Sequence, residues 1–157
     1  PPLDRKQPST SFKVRGRDLR VDFLTPMTGR DSSSAVLLPA FGLSAKPVRF
    51  LEYLINDPIP AVVMGTDVVL VNIPSPARFA MHKLWTSMQR PTAFQAKAAK
   101  DRIQAEQLIE VLIEDRPDDL RDAWNALTKR ARAAVRSARK SLETETLLSV
   151  SEVVESD

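Results

Sequence analysis

Between Ala77 and Ala138 the apolar residues recur with the period of an α-helix, and this pattern limits the fold more than any other feature. Ala77, Ala80, Met81, Leu84, Trp85 and Met88 fall at i, i+3, i+4, i+7, i+8 and i+11, one stripe along one helix. Ser75 or Pro76 is suited to open that helix, and Pro91-Thr92 to end it and cap the next. Phe94, Ala98, Ala105, Leu108, Ile109 and Leu112 form a second stripe over 93–114. Asp115-Arg116-Pro117 then breaks the chain, with Pro117 at a helix start. Leu120, Trp124, Leu127, Ala131, Ala134 and Ala138 continue the period to about Lys140. Two or three long amphipathic helices are therefore expected.

The first half alternates instead. Phe12–Arg15 and Leu19–Leu24 flank Gly16-Arg17-Asp18, a turn-forming triplet, and read as a hairpin that Pro26 ends. Period 2 puts Leu19, Val21 and Phe23 on one face and Arg20 and Asp22 on the other. Ala61–Met64 and Val68–Ile73, joined by Gly65-Thr66-Asp67, read as a second hairpin. Residues 27–35 are small and polar and read as a mobile loop. Val36–Leu43 is apolar but interrupted by Pro39 and Gly42, so it is expected to be irregular and buried; Val48–Ile55 fits a short helix or a strand, and the two apolar runs that follow it favour the strand. The expected fold is α+β: a small mixed or antiparallel sheet of two hairpins packed against the C-terminal helices. The expected organisation is a disordered linker over 1–11, a β-rich part over 12–76, a helical part over 77–142 and an acidic, frayed or disordered tail over 143–157.

Composition narrows the chemistry. There is no cysteine, which excludes disulfides, thiol catalysis and Cys-based zinc sites and fits a reducing compartment; a cytoplasmic location is expected. No apolar run approaches the roughly 20 residues that span a bilayer, so no membrane partner is expected. Opening on Pro1-Pro2 rather than Met, the chain reads as a fragment or remnant of a longer one. The net charge of +3 is local in origin. Residues 129–140 hold six basic groups and no acid, leaving 17 basic against 20 acidic elsewhere. Lys129, Arg130, Arg132, Arg136, Arg139 and Lys140 are thus either a solvated helix face or a contact for nucleic-acid phosphates.

Few residues carry chemistry. Asp22 is either a magnesium carboxylate or a solvent-facing partner of Arg20 or Arg15; a metal that activates a phosphate needs two or three carboxylates, and no D-x-D partner is present. Arg78, His82 and Lys83 lie off the first helix's apolar stripe, and Lys83 and Arg90 are nearly two turns apart, an arrangement open to phosphate clamping or to plain solvation. Lys97 and Asp101, at i and i+4, read as a surface pair. His82 is the lone histidine and no G-x-S-x-G elbow exists, which sets a hydrolase triad aside. With four glycines and neither G-x-x-x-x-G-K-[ST] nor G-x-G-x-x-G, a glycine-rich phosphate cradle is excluded.

Several segments together carry a resemblance: Arg20-Val-Asp-Phe-Leu-Thr-Pro26, Leu38-Pro-Ala-Phe-Gly-Leu43, Val48–Leu54, Val71-Asn-Ile-Pro-Ser-Pro-Ala-Arg-Phe-Ala-Met-His-Lys-Leu84, Ala99-Lys-Asp101 and Glu114–Trp124. From about Phe12 to Leu127 the chain resembles a bacterial family of nucleotidyltransferase-fold proteins in the DNA polymerase beta-like superfamily. That family is distantly akin to the nucleotidyltransferase toxins of toxin–antitoxin systems. The resemblance implies a mixed sheet with helices against it, an NTP–magnesium substrate and transfer of a nucleotidyl group to an acceptor. It implies Asp22 as the catalytic, metal-binding third carboxylate and Lys83 as a phosphate-facing lysine. Arg78, His82, Lys100 and Asp101 complete the implied nucleotide-binding set. The family's Gly-Ser motif with Asp-x-Asp is not in these 157 residues. The chain is accordingly expected to be the C-terminal part of a magnesium-dependent nucleotidyltransferase, or a non-catalytic relative. The alternatives are an interaction or regulatory module, antitoxin-like and open to self-association into a homo-oligomer, and a nucleic-acid-binding helical protein.

Overall fold

The computed structural model describes residues 9–30, 34–140 and 151–154. Residues 1–8 of the linker expected over 1–11 and most of the acidic tail lie outside these; within the tail, 151–154 form a helical turn with Val154 buried. The chain divides into two compact units, residues 1–52 and 53–157. It is α+β, with short strands first and helices last.

The first unit begins with the expected hairpin. Strands β1 (Ser11–Lys13) and β2 (Arg20–Asp22) run antiparallel, with Phe12 opposite Val21, and Gly16 takes the left-handed φ of +75° that the turn requires. Phe12 and Phe23 meet edge to face at 5.7 Å. The strand expected over Leu19–Leu24 is divided: β2 ends at Asp22, and β3 (Leu24–Pro26) belongs to a separate three-stranded sheet, so the hairpin ends before Pro26. Proline is tolerated there because β3 is an edge strand, pairing with β5 alone.

Strand β4 (Val36–Leu38) is antiparallel to β5 (Leu43–Val48), while β3 is parallel to it, giving the order β3-β5-β4. The segment expected to be irregular and buried is thus a strand followed by a 3₁₀ turn, Pro39–Phe41. It is largely exposed, Phe41 to 73%. Gly42, at a φ of +62°, turns the chain back into β5. A second correction follows: the strand read over 48–55 ends at Val48, and Leu51–Ile55 is helical (α1). Phe50 and Asp57, both in the left-handed region with φ of 63°, flank this helix and isolate it from the strands on either side.

In the second unit β6 (Ile59–Met64) and β7 (Val68–Ile73) form the other expected hairpin, in register from Ile59–Ile73 to Met64–Val68. Its tip is not part of the core: Val62, Val63, Met64, Val68, Val69 and Leu70 are all exposed. The core belongs to the helices. Helix α2 (Pro76–Gln89) starts as the residues dictate, with Pro76 in its first turn and the Ser75 hydroxyl accepting the Arg78 amide at 3.2 Å. It packs against α3 (Gln95–Asp115), α4 (Pro117–Asn125) and α5 (Lys129–Arg139). Met81, Leu84, Ile109, Leu120 and Val135 are the largest fully buried side chains. Each contributes about 1.5–3 kcal/mol by leaving water.

The last stripe, expected to be one helix, is two. The break falls at 126–128, where Thr128 caps α5 by accepting the Ala131 amide at 3.3 Å. With the phase reset, Ala131, Val135 and Ala138 face inward rather than Ala134. The other two stripes also differ in detail. Met88 is exposed while Ser87 is buried, its hydroxyl donating to the Leu84 carbonyl at 2.7 Å. In α3, Phe94 and Leu108 drop out and Asp101 takes an inward position.

Candidate functional site

The inward face of α3 reads Ala98, Asp101, Ala105, Ile109, Leu112. A carboxylate in that register must be compensated or neutral, because burial penalises its charge. The compensation comes from α2. Lys83 Nζ donates to Asp101 Oδ1 at 2.9 Å, and Arg90 Nε donates to Oδ2 at 2.6 Å. Residues 83 and 90 are seven apart, nearly two turns, so Lys83 and the helix-ending Arg90 reach the same point on α3. Asp101 is 3% exposed, whereas the Lys83 and Arg90 side chains keep 21% and 30% of their surface in water. Burial alone pushes the Asp101 carboxyl up. The hydrogen bonds from Arg90 and Lys83, with the charges of the same two groups, outweigh it and hold the carboxyl below its ordinary value. One anion and two cations leave the cluster with a net charge of +1. Lys83 also lies over the Phe79 ring at 5.1 Å.

This arrangement corrects the surface pair read from sequence. Lys97 lies over the Phe94 ring at 5.2 Å, and Asp101 is taken by Lys83 and Arg90. Spacing within one helix cannot reveal a pairing across 18 residues. The available signal was an acid in the apolar register of α3 facing two cations on α2.

The other predicted residues have different surroundings. Arg78 is anchored: its Nη1 donates to the Tyr53 carbonyl at 3.1 Å, its guanidinium stacks 5.1 Å from the Tyr53 ring centroid, and Asp57 lies 4.0 Å away. Tyr53 in turn donates its hydroxyl to the Ala123 carbonyl at 2.7 Å, tying α1 and α2 to α4. Burial raises the Tyr53 pKa above its ordinary value, with the Arg78 charge opposing, so the phenol stays protonated. His82 is half-buried beside Trp85, with Thr86 Oγ1 3.4 Å from its Nδ1. Burial, then the Lys83 charge, lowers its pKa to about 4 against the pull of Asp101, so it is neutral near pH 7. Lys100 is exposed on α3. Sequence reasoning did not single out Tyr53, Asp57 or the carboxylate-sharing role of Arg90.

The basic run of α5 is not a uniform solvated face. Arg132, Arg136 and Arg139 place their guanidiniums 5.9, 5.2 and 5.7 Å from the ring centroid of buried Trp124, and Arg139 is itself buried. Arg132 further donates to the Asn125 carbonyl at 2.7 Å, across the break between α4 and α5. Lys129, Arg130, Arg136 and Lys140 remain exposed.

Asp22 is exposed at the end of β2, opposite Ser11, and belongs to the first unit, whereas Lys83, Arg90 and Asp101 belong to the second. Among the described residues no three histidine, aspartate or glutamate side chains gather as metal ligands. A lone carboxylate does not by itself fit a magnesium site. No helix among the described residues is long and apolar enough to cross a membrane.

A net-positive cluster carried on a rigid helix pair is suited to a phosphate-bearing ligand. The chain belongs to the nucleotidyltransferase family: residues 1–129 match the family described as Nucleotidyltransferase, a class defined by nucleotidyl transfer. No curated protein and no solved structure matches it.

Proposed function

We propose that this chain supplies the phosphate-contacting part of a metal-dependent nucleotidyltransferase, with Lys83 as the lysine that meets the NTP phosphates. The observation that carries this reading is the Lys83–Asp101–Arg90 cluster in a chain of this family, because its net charge of +1 sits on two packed helices and is therefore held in place. Asp22 contributes one of the several carboxylates that a magnesium-bound nucleotide requires. Lys100, exposed one residue from Asp101, is a secondary phosphate contact. Arg78 and His82 support the site indirectly, the first by fixing the start of α2 on Tyr53 and the second as a neutral neighbour of Lys83. Kinship with nucleotidyltransferase toxins belongs to the same proposal.

The test is calorimetric titration of each of the four NTPs, with Mg²⁺, into the full-length protein and its Asp22→Ala and Lys83→Ala variants. Both substitutions are expected to weaken binding. Equal affinity in all three proteins refutes the assignment.

The exposed Lys129, Arg130, Arg136 and Lys140 favour a second reading, contact with nucleic-acid phosphates. It requires an affinity that falls steeply with salt and is lost when these four are neutralised.

A further inference from the structure

We infer that Arg90 is a positioning residue for Lys83, acting through Asp101; this rests on the phosphate-facing reading of Lys83 given above. The two cations occupy different oxygens of one carboxylate, Lys83 on Oδ1 and Arg90 on Oδ2. Were Lys83 the sole partner of Asp101, moving its ammonium to a ligand phosphate would strand a buried carboxylate whose desolvation nothing then offsets. Arg90 removes that obstacle. Its Nε stays on Oδ2 when Oδ1 is released, so Asp101 keeps a charged partner throughout. The second cation also leaves the cluster at +1, so an approaching phosphate meets an attractive site rather than a closed, neutral ion pair.

The backbone suits Arg90 to the fixed part of this exchange. It is the residue at which α2 ends, with φ of −72° and ψ of 131°, and it precedes Pro91. Proline confines the residue before it to extended conformations, so the stem of Arg90 leaves the helix in one direction. Its guanidinium presents a planar donor to Oδ2, whereas Lys83 is a point charge on a flexible stem. The group that must stay is therefore the rigid one, and the group that must move is the flexible one.

A double-mutant cycle on magnesium–NTP affinity separates this from the alternatives. The full-length protein and its Arg90→Gln, Lys83→Met, double and Arg90→Lys variants are titrated with each of the four NTPs plus Mg²⁺, and folding is verified by thermal melting. Arg90→Gln is expected to weaken binding about tenfold in the presence of Lys83 and by about threefold or less in Lys83→Met, where only the loss of its charge remains. Arg90→Lys restores the charge without the planar donor and is expected to recover binding to within about threefold of wild type. Should Arg90→Gln not fold, the same cycle is run with Arg90→Lys, whose smaller loss must vanish in Lys83→Met. An Arg90 effect of equal size in both backgrounds, or none in either, overturns the positioning role and leaves Lys83 as a phosphate contact. An unaltered affinity in Lys83→Met, or no NTP binding by wild type, overturns the functional reading itself and this inference with it.

Discussion

Replacing Asp101 with asparagine keeps the shape of the side chain and removes the charge on which two helices converge. In wild type the Oδ1 and Oδ2 atoms accept from Lys83 at 2.9 Å and from Arg90 at 2.6 Å. An amide leaves two cations facing one neutral group, and its NH₂ end points a donor at a donor. Deleting one member of a fully buried ion pair costs about 3–5 kcal/mol. Here the carboxylate side chain is 5% exposed but the cations retain 21% and 30% of their surface, so part of their charge is rehydrated at little cost. A loss of about 2–3 kcal/mol is expected near neutral pH. For a chain of this size that lowers Tm by roughly 5–10 °C. Urea unfolding followed by circular dichroism gives the free energy directly.

The pH dependence supplies an internal control. Because the Asp101 carboxyl is held below its ordinary value of 3.8, its contribution is present above that value and is lost as pH falls through the lower, folded-state value. Wild type and Asp101→Asn should therefore converge in strong acid. If the two differ by less than about 0.5 kcal/mol at neutral pH, or stay equally far apart in acid, the carboxylate does not hold α2 to α3 in the way described.

Two further outcomes follow from the same unit. The His82 pKa falls from 6.5 in the unfolded chain to about 4, so its stabilising effect is complete above 6.5 and disappears as pH drops towards 4; relative to His82→Gln, wild type should lose up to about 3 kcal/mol across that window in pH-resolved urea melts, and parallel curves would show that the imidazole is not buried. Tyr53→Phe removes the 2.7 Å bond to the Ala123 carbonyl and leaves that buried acceptor unpaired, so denaturant melts should report a loss of about 1–2 kcal/mol, and an unchanged midpoint would mean the hydroxyl is not engaged there.

The helices and both hairpins were legible from the residues because their determinants are local. Ser75-Pro76 starts α2 through one hydroxyl and one fixed φ, and Gly16 permits the first turn because it lacks a Cβ. These outcomes hardly depend on what lies across the molecule. The break at 126–128 was missed for a related reason: Leu120, Trp124, Leu127 and Ala131 keep helical period across it, and periodicity does not register a change of direction. Thr128 did, as a cap residue placed before the basic run.

Other features were decided only in the tertiary structure. Leu51–Ile55 mixes helix formers (Leu51, Glu52, Leu54) with Tyr53 and Ile55, and short apolar runs carry little conformational preference of their own; flanking left-handed residues at Phe50 and Asp57 and the bond from Tyr53 to α4 decide for a helix. The arginines of α5 read as a solvated stripe until Trp124, from a different helix, occupies the space beneath them. The same holds for the site. Sequence placed Lys83, Arg90 and Asp101 on helices and presented Asp101 as a neighbour of Lys97. Packing turned α3 so that Asp101 faced inward, where an unpaired carboxylate is costly, and brought the two cations of α2 within reach of it. Local bonding preferences determine where helices begin and end; which charges meet is settled by the cost of burying them apart.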